Sequence, residues 1–183
     1  MLYRCPGIEV HLFEPNPISL SVAEEAKRRN SLQRLHLHEV GLSDERARLP
    51  LHLGREDSGH ATFGPHPVLG AGPSTEAVLL SFDEWMDEHR IAPPAQPEWL
   101  AKVDVEGLEL SVLRGMRRAL DARAFRALAI ELNEYTLSFC GTSAAEITAY
   151  LSGAGYEPLA ARPEGRRWPL HQTWNAFFVP VAG

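Results

Sequence analysis

Apolar positions fall in short runs, and the period of those runs switches along the chain. Ile8-Glu9-Val10-His11-Leu12-Phe13 is apolar up to Glu14, and Pro15-Asn16-Pro17 follows. The run predicts a strand over residues 8–14 that ends at a ligand-facing edge. Asn16 before Pro17 reads as an N-cap with proline at the first helical position, where the missing N–H costs nothing. A helix is expected from 17 to about 30, with Leu20 and Ala23 inward. Leu35-His36-Leu37-His38 alternates with period two and predicts a strand over 35–42. Gly41-Leu42-Ser43-Asp44 ends it.

Residues 45–80 are the least regular part. Short strands are expected at 48–53, 61–63 and 77–80, with Pro65, Pro67, Gly70, Gly72 and Pro73 marking a loop between them. Ser81-Phe82-Asp83-Glu84 opens a short helix as a capping box. Pro93, Pro94 and Pro97 break the chain again. A strand over 100–105 ends in Asp104-Val105-Glu106-Gly107. A single helix follows, with Leu110, Leu113, Met116 and Leu120 inward at spacings of three and four. A strand at 127–132 ends in Asn133-Glu134. Ser143-Ala144-Ala145-Glu146 is a second capping box, and Gly153 and Gly155 can stop its helix. Strands at 156–160 and 173–179 close the sequence. Strands alternating with helices argue an α/β fold: one domain over 1–183, with a mostly parallel sheet covered on both faces and an insert at about 45–80.

Composition narrows the class without naming a function. The chain has 183 residues, 44% hydrophobic and 23% charged, which suffices for one sizeable core. A net charge of -6 argues against a phosphate-backbone partner. The basic groups Lys27-Arg28-Arg29 and Arg114/Arg117/Arg118 fall on predicted helices as solvated faces. Cys5 and Cys140 form neither a disulfide framework nor a zinc site. No signal pattern or membrane-length apolar run is present, so a soluble, cytoplasmic protein with no nucleic-acid or membrane partner is expected.

In parallel α/β sheets ligands bind beyond the carboxyl ends of the strands. Those ends carry Glu14, Asp44, Asp104, Glu106 and Glu131, an acidic rim that suits a cationic or hydroxyl-rich ligand. Glu14 could accept hydrogen bonds from vicinal ribose hydroxyls, or could sit at a helix start where the dipole favours it. Asp104 and Glu106 share a strand face. They could hold a divalent metal, orient a substrate hydroxyl or bind an ammonium, or they could form a plain turn. Lys102 on that face could pair with either. His60 could serve as a general base, although eight histidines make chance placement common. His11, His36 and His38 read as structural, and Cys140 as a buried thiol. Asn175, inside an apolar strand, either satisfies buried backbone or faces a ligand.

A series of motifs carries a resemblance: "FEPNP", "GLSD", "SGHATF", "LLSFDEW", "KVDVEGLELSVLRG", "IEL", "GY" and "WNAFFVP". In this order and spacing the chain resembles the FkbM-type methyltransferase family from about residue 8 to residue 180. The resemblance implies a Rossmann-like fold that uses S-adenosyl-L-methionine (SAM) to methylate an oxygen of a sugar, polyketide or similar small acceptor. It implies Glu14 on the SAM ribose and Ser43 and Asp44 by the adenine. Asp104 and Glu106 would line the methionine end, and Glu131 and Asn175 the acceptor side. It assigns no base; Asp104 and His60 are the candidates. No metal ligand is implied.

The family pattern also has a strand, a D-x-G-A-N-x-G loop and a helix ahead of "FEP". The few residues before Ile8 are too short for them, since a crossover needs at least about 10–12 residues. The resemblance is therefore to a methyltransferase lacking its first βα unit. Such a chain is expected to bind SAM weakly or not at all and to self-associate. Two other readings stay open: a non-catalytic methyltransferase-like module, and a metal-dependent hydrolase using Asp104 and Glu106.

Overall fold

The Asn16 side chain accepts a hydrogen bond from Ile18 N at 3.0 Å, and Pro17 opens helix α1 (Pro17–Arg29). Lys27, Arg28 and Arg29 fill the last turn, where cations complement the helix dipole. These features belong to a computed structural model that describes residues 7–53, 61–63, 73–159 and 173–181. Cys5 and His60 lie outside the described residues.

Ahead of α1, strand β1 (Val10–Phe13) runs parallel to β2 (Leu35–His38), with His11 opposite His36 and Phe13 opposite His38. The strand expected over 35–42 is two pieces. β3 (Gly41–Leu42) leaves β2 and pairs in parallel with β6 (Ser74–Leu80). β6 pairs antiparallel with β4 (Ala47–Leu53), whose end pairs with β5 (Ala61–Thr62). The third sheet starts with β7 (Trp99–Val103) parallel to β8 (Phe125–Leu132). β10 (Trp174–Pro180) lies antiparallel between β8 and β9 (Tyr156–Pro158).

The α/β class holds, but the sheet is not one mostly parallel layer. Among the described residues there are three separate sheets, ordered β1-β2, β3-β6-β4-β5 and β7-β8-β10-β9. Three strand pairings are parallel and four antiparallel. The antiparallel ones arise where the irregular segment folds back on itself and where the last two strands return.

Helix α2 (Phe82–Glu88) is capped by the Ser81 hydroxyl, which accepts from Glu84 N at 3.1 Å. The Glu84 carboxylate pairs with Arg46 at 2.8 Å. The helix expected to run unbroken through Leu120 stops at Met116, giving α3 (Glu109–Gly115) and α4 (Arg117–Asp121). The cause is tertiary. Asp83 of α2 accepts from Arg118 N at 2.8 Å, and the Arg118 guanidinium reaches Asp87. Gly115 meanwhile lies so close to the end of β3 that an added Cβ would sit 1.9 Å from Ser43 O. Helix α5 (Glu134–Phe139), not expected from the sequence, starts at Asn133, whose side chain accepts from Tyr135 N. In α6 (Ala144–Gly153) the Ser143 hydroxyl caps the helix by accepting from Glu146 N at 3.3 Å, and it donates to Glu146 Oε2 at 3.0 Å.

The core lies between β7–β8–β10 and the helices. Val103, Leu113, Leu120, Leu128, Ile130, Leu137, Ile147, Leu151, Tyr156 and Phe178 are all buried in one cluster that extends to Trp85 and Met86 of α2. Phe13 packs against its edge, with ring centroids 5.0 Å from Trp85 and 6.2 Å from Phe82.

Candidate active site

Glu14 leaves β1 with its N–H donated to His38 O at 3.0 Å, so its side chain emerges at the carboxyl end of a parallel pair. Oε1 accepts from Asn16 N at 2.8 Å. Burial holds this carboxyl above the usual carboxylate range, and the Asn16 amide offsets part of that shift. A half-buried carboxylate gains from further donors, and a pair of ligand hydroxyls would supply them.

At the end of β3, Ser43 is buried and donates its N–H to Leu80 O at 2.9 Å. Its hydroxyl donates to Asp44 Oδ1 at 3.0 Å, and Asp44 is exposed.

A second group forms at the end of β7. Lys102 Nζ lies 2.9 Å from Glu131 Oε2 and 3.3 Å from Asp104 Oδ2, an acid–base–acid bridge from β7 to β8. Asn175 stands opposite Glu131 in the β8–β10 ladder and is exposed. Asn175 is therefore no buried amide serving the backbone. The strand register thus places Asp104, Glu131 and Asn175 near one another, with Lys102 bridging Asp104 and Glu131. Glu14 and Asp104 stand at the ends of strands in different sheets.

Between Asp104 and α3 the chain turns through two consecutive left-handed residues, Glu106 (φ 52°) and Gly107 (φ 106°). Glu109, which sequence reading passed over, sets this turn. Its Oε1 accepts from Val105 N at 3.3 Å and from Gly107 N at 3.2 Å. Its Oε2 is buried and without a hydrogen-bond partner among the described residues. Burial raises the Glu109 pKa; the amides of Glu109, Gly107 and Val105 oppose the shift, and nearby Glu106 adds to it. One signal was present: Glu109 adjoins Leu110 on the inward stripe that continues through Val112 and Leu113, where a carboxylate needs a local purpose. Gly107 is required twice over, since a Cβ there would lie 2.7 Å from Thr136 O and 2.8 Å from Cys140 Sγ. The Cys140 thiol is pushed up in pKa by burial and then by Glu109, which suits a structural thiol rather than a nucleophile.

The strand histidines form a stack. His11 lies 4.7 Å from His36 and 5.3 Å from His38, centroid to centroid, and His38 packs on Phe13 at 4.7 Å. Burial, then His11, His89 and His36, push the His38 pKa down to about 4. An open surface hollow bounded by Glu24, Lys27, Arg28, Ser31, Gln33 and Leu37 contains none of the sequence-predicted site residues. No helix among the described residues is long and apolar enough to cross a membrane.

Carboxylates thus stand at the ends of parallel pairs in an α/β protein, and in such folds ligands bind beyond the carboxyl ends of the strands. Residues 2–158 match the family model of the methyltransferase FkbM domain, and the chain belongs to that family. It is similar to the hexuronic acid methyltransferase AglP of Haloferax volcanii, 36% identical over 85 residues, which are 42% of this chain and 34% of that protein. Methyltransferase 1 of Beauveria bassiana is 26% identical over 129 residues, 63% of this chain and 52% of that protein. The chain thus spans between about a third and a half of these relatives. The fold matches a crystal structure of methyltransferase FkbM from Methylobacillus flagellatus KT with a TM-score of 0.58 at 20% identity, over 97% of this chain and 38% of that one.

Proposed function

We propose that this chain is the donor-binding and catalytic part of a SAM-dependent O-methyltransferase with a Rossmann-like fold, acting on a small hydroxylated acceptor. The observation that carries the reading is Glu14: a half-buried carboxylate at the carboxyl end of a parallel pair, fixed through one oxygen by Asn16 N. Such a group fits the two hydroxyls of a ribose. The acidic strand ends suit a sulfonium cation. SAM, when bound, supplies a methyl group on positively charged sulfur for in-line displacement by an acceptor oxygen.

The chain's own residues then have distinct tasks. Glu14 holds the ribose, and Ser43 and Asp44 border the adenine. Asp104 and Glu106 flank the methionine end, with Glu109 keeping their turn in place. Glu131 and Asn175 face the acceptor, and Lys102 orients Asp104 against Glu131. Asp104 or His60 takes the acceptor proton. The segment at 45–80 selects the acceptor within a single domain over 1–183. A sugar acid is a reasonable first acceptor, given the name of the archaeal relative. The same reading has the protein act in the cytoplasm on a small molecule, without nucleic acid or membrane, and self-associate. The metal-hydrolase reading is disfavoured because Asp104 is tied to Lys102.

The test is titration calorimetry with SAM up to millimolar concentration, since weak binding is expected, alongside transfer of a labelled methyl group to hexuronic acids and other hydroxylated acceptors. Charged hydrogen bonds contribute about 1.5–3 kcal/mol, so Glu14→Ala should weaken SAM by roughly tenfold to a hundredfold. Unchanged affinity in that variant would remove the assignment.

A further inference from the structure

We propose that Glu9, His11 and His36 form a binding site for one divalent transition-metal ion of the zinc type, clamping β1 to β2. The register dictates the juxtaposition. His11 and His36 are direct partners on adjacent parallel strands, about 4.8 Å apart, so their rings leave the same face. Glu9 precedes His11 by two residues, which returns its side chain to that face. One ligand atom from each of the three lies within 4.8 Å of the others, and His36 Nε2 is 4.0 Å from Glu9 Oε2.

Two further observations fit a metal. His36 Nε2 is buried and has no hydrogen-bond partner among the described residues. An orphaned nitrogen is costly, and a bound cation would satisfy it. His11 Nδ1 lies 3.0 Å from His38 Nε2, which orients the His11 ring, and the proposed coordination uses its other nitrogen, Nε2. A ligating histidine held through its other ring nitrogen is the usual arrangement at metal sites.

Two imidazoles and one carboxylate select zinc, cobalt, nickel or copper over magnesium or calcium, which prefer all-oxygen shells. Tetrahedral zinc with bonds of about 2.0–2.1 Å brings ligand atoms to roughly 3.3–3.5 Å from one another. The closure from the observed spacing is about 1 Å. The Glu9 side chain, 65% exposed, supplies part of it by rotation, and the His11 and His36 rings, stacked with planes 17° apart, must turn so that both nitrogen lone pairs meet at the ion. The fourth position is left to water. His11 precedes Glu14 by three residues, or about 10 Å of strand, so the ion would act as a structural clamp away from the proposed donor site.

The test uses the whole chain without an affinity tag, stripped of metal by a chelator. Titration calorimetry with Zn2+ should show one equivalent bound with a Kd in the micromolar range or below. Co2+ should give visible absorption bands, Zn2+ should raise the Tm, and Mg2+ should do neither. Glu9→Gln, at an exposed position that leaves the fold intact, should weaken Zn2+ at least tenfold. His36→Gln should abolish stoichiometric binding, and His52→Gln, on β4, should leave it unchanged. The proposal is overturned if the parent chain binds no stoichiometric Zn2+. It is equally overturned if binding survives in both Glu9→Gln and His36→Gln. Neither result depends on whether SAM binds.

Discussion

The β1–β2 pair and the β7–β8–β10–β9 sheet are built from similar short apolar runs, yet they end in different states. In β8, Phe125, Leu128, Ile130 and Leu132 are all buried, and α3, α5 and α6 contribute Leu113, Leu137, Ile147 and Leu151 to the same core. In β1 and β2 no residue is fully buried. That pair is held by its own ladder, by the ring packing of Phe13 on Trp85, and by the imidazole stack. Stability therefore resides in the larger sheet. Glu14, the proposed donor-binding carboxylate, hangs on the weaker pair. A region that opens easily is where a ligand or ion contributes most order.

That asymmetry can be broken by truncating one leucine on each side. Leu128→Ala should cost about 2–5 kcal/mol, because the side chain is fully enclosed and its neighbours cannot collapse into the space. Leu37→Ala in β2, only partly buried, should cost roughly 1 kcal/mol. Denaturant unfolding of both variants measures the ratio. Equal losses would mean that the two regions share one core after all.

A smaller effect concerns the turn between β7 and α3. Glu109 has a folded-state pKa raised above its ordinary value of 4.5 by burial. The folded protein then holds that proton more tightly than the unfolded chain does. The associated stability is fully present below the unfolded value and is lost as pH rises through the folded one. Glu109→Gln keeps an acceptor for Val105 N and Gly107 N but cannot ionise. Thermal unfolding across this pH range should show the parent protein losing stability relative to Glu109→Gln as pH rises. Parallel curves would show that the buried carboxyl is not the source.

Local chemistry made much of this legible. Asn16-Pro17, Ser81 and Ser143 announced helix starts because capping is decided within four residues. The alternation in "LHLH" gave β2 for the same reason. What stayed hidden depended on distant partners. The break at Met116 needs Asp83, 35 positions from Arg118. The start of α5 was masked by an apolar run that reads as strand up to Asn133. The three sheets could not be read because strand pairing is non-local. At the candidate site, Lys102 was visible beside Asp104, but its reach to Glu131 follows from the β7–β8 register. Glu109 was hidden by lying in a helical stripe. The meeting of Glu9, His11 and His36 was hidden because an exposed histidine on an alternating strand carries no sign of what faces it.

Hydrogen–deuterium exchange with and without millimolar SAM tests the central claim most directly, because it reads both regions in one experiment. In the free protein, amides of β8 and β10 should exchange slowest and those of β1 and β2 fastest among the strands. Saturating SAM should slow exchange at residues 12–16, around Glu14, and at residues 104–109, around the turn set by Glu109. A SAM-dependent change confined to other segments, or no change at a SAM concentration that calorimetry shows to saturate the chain, would contradict the account.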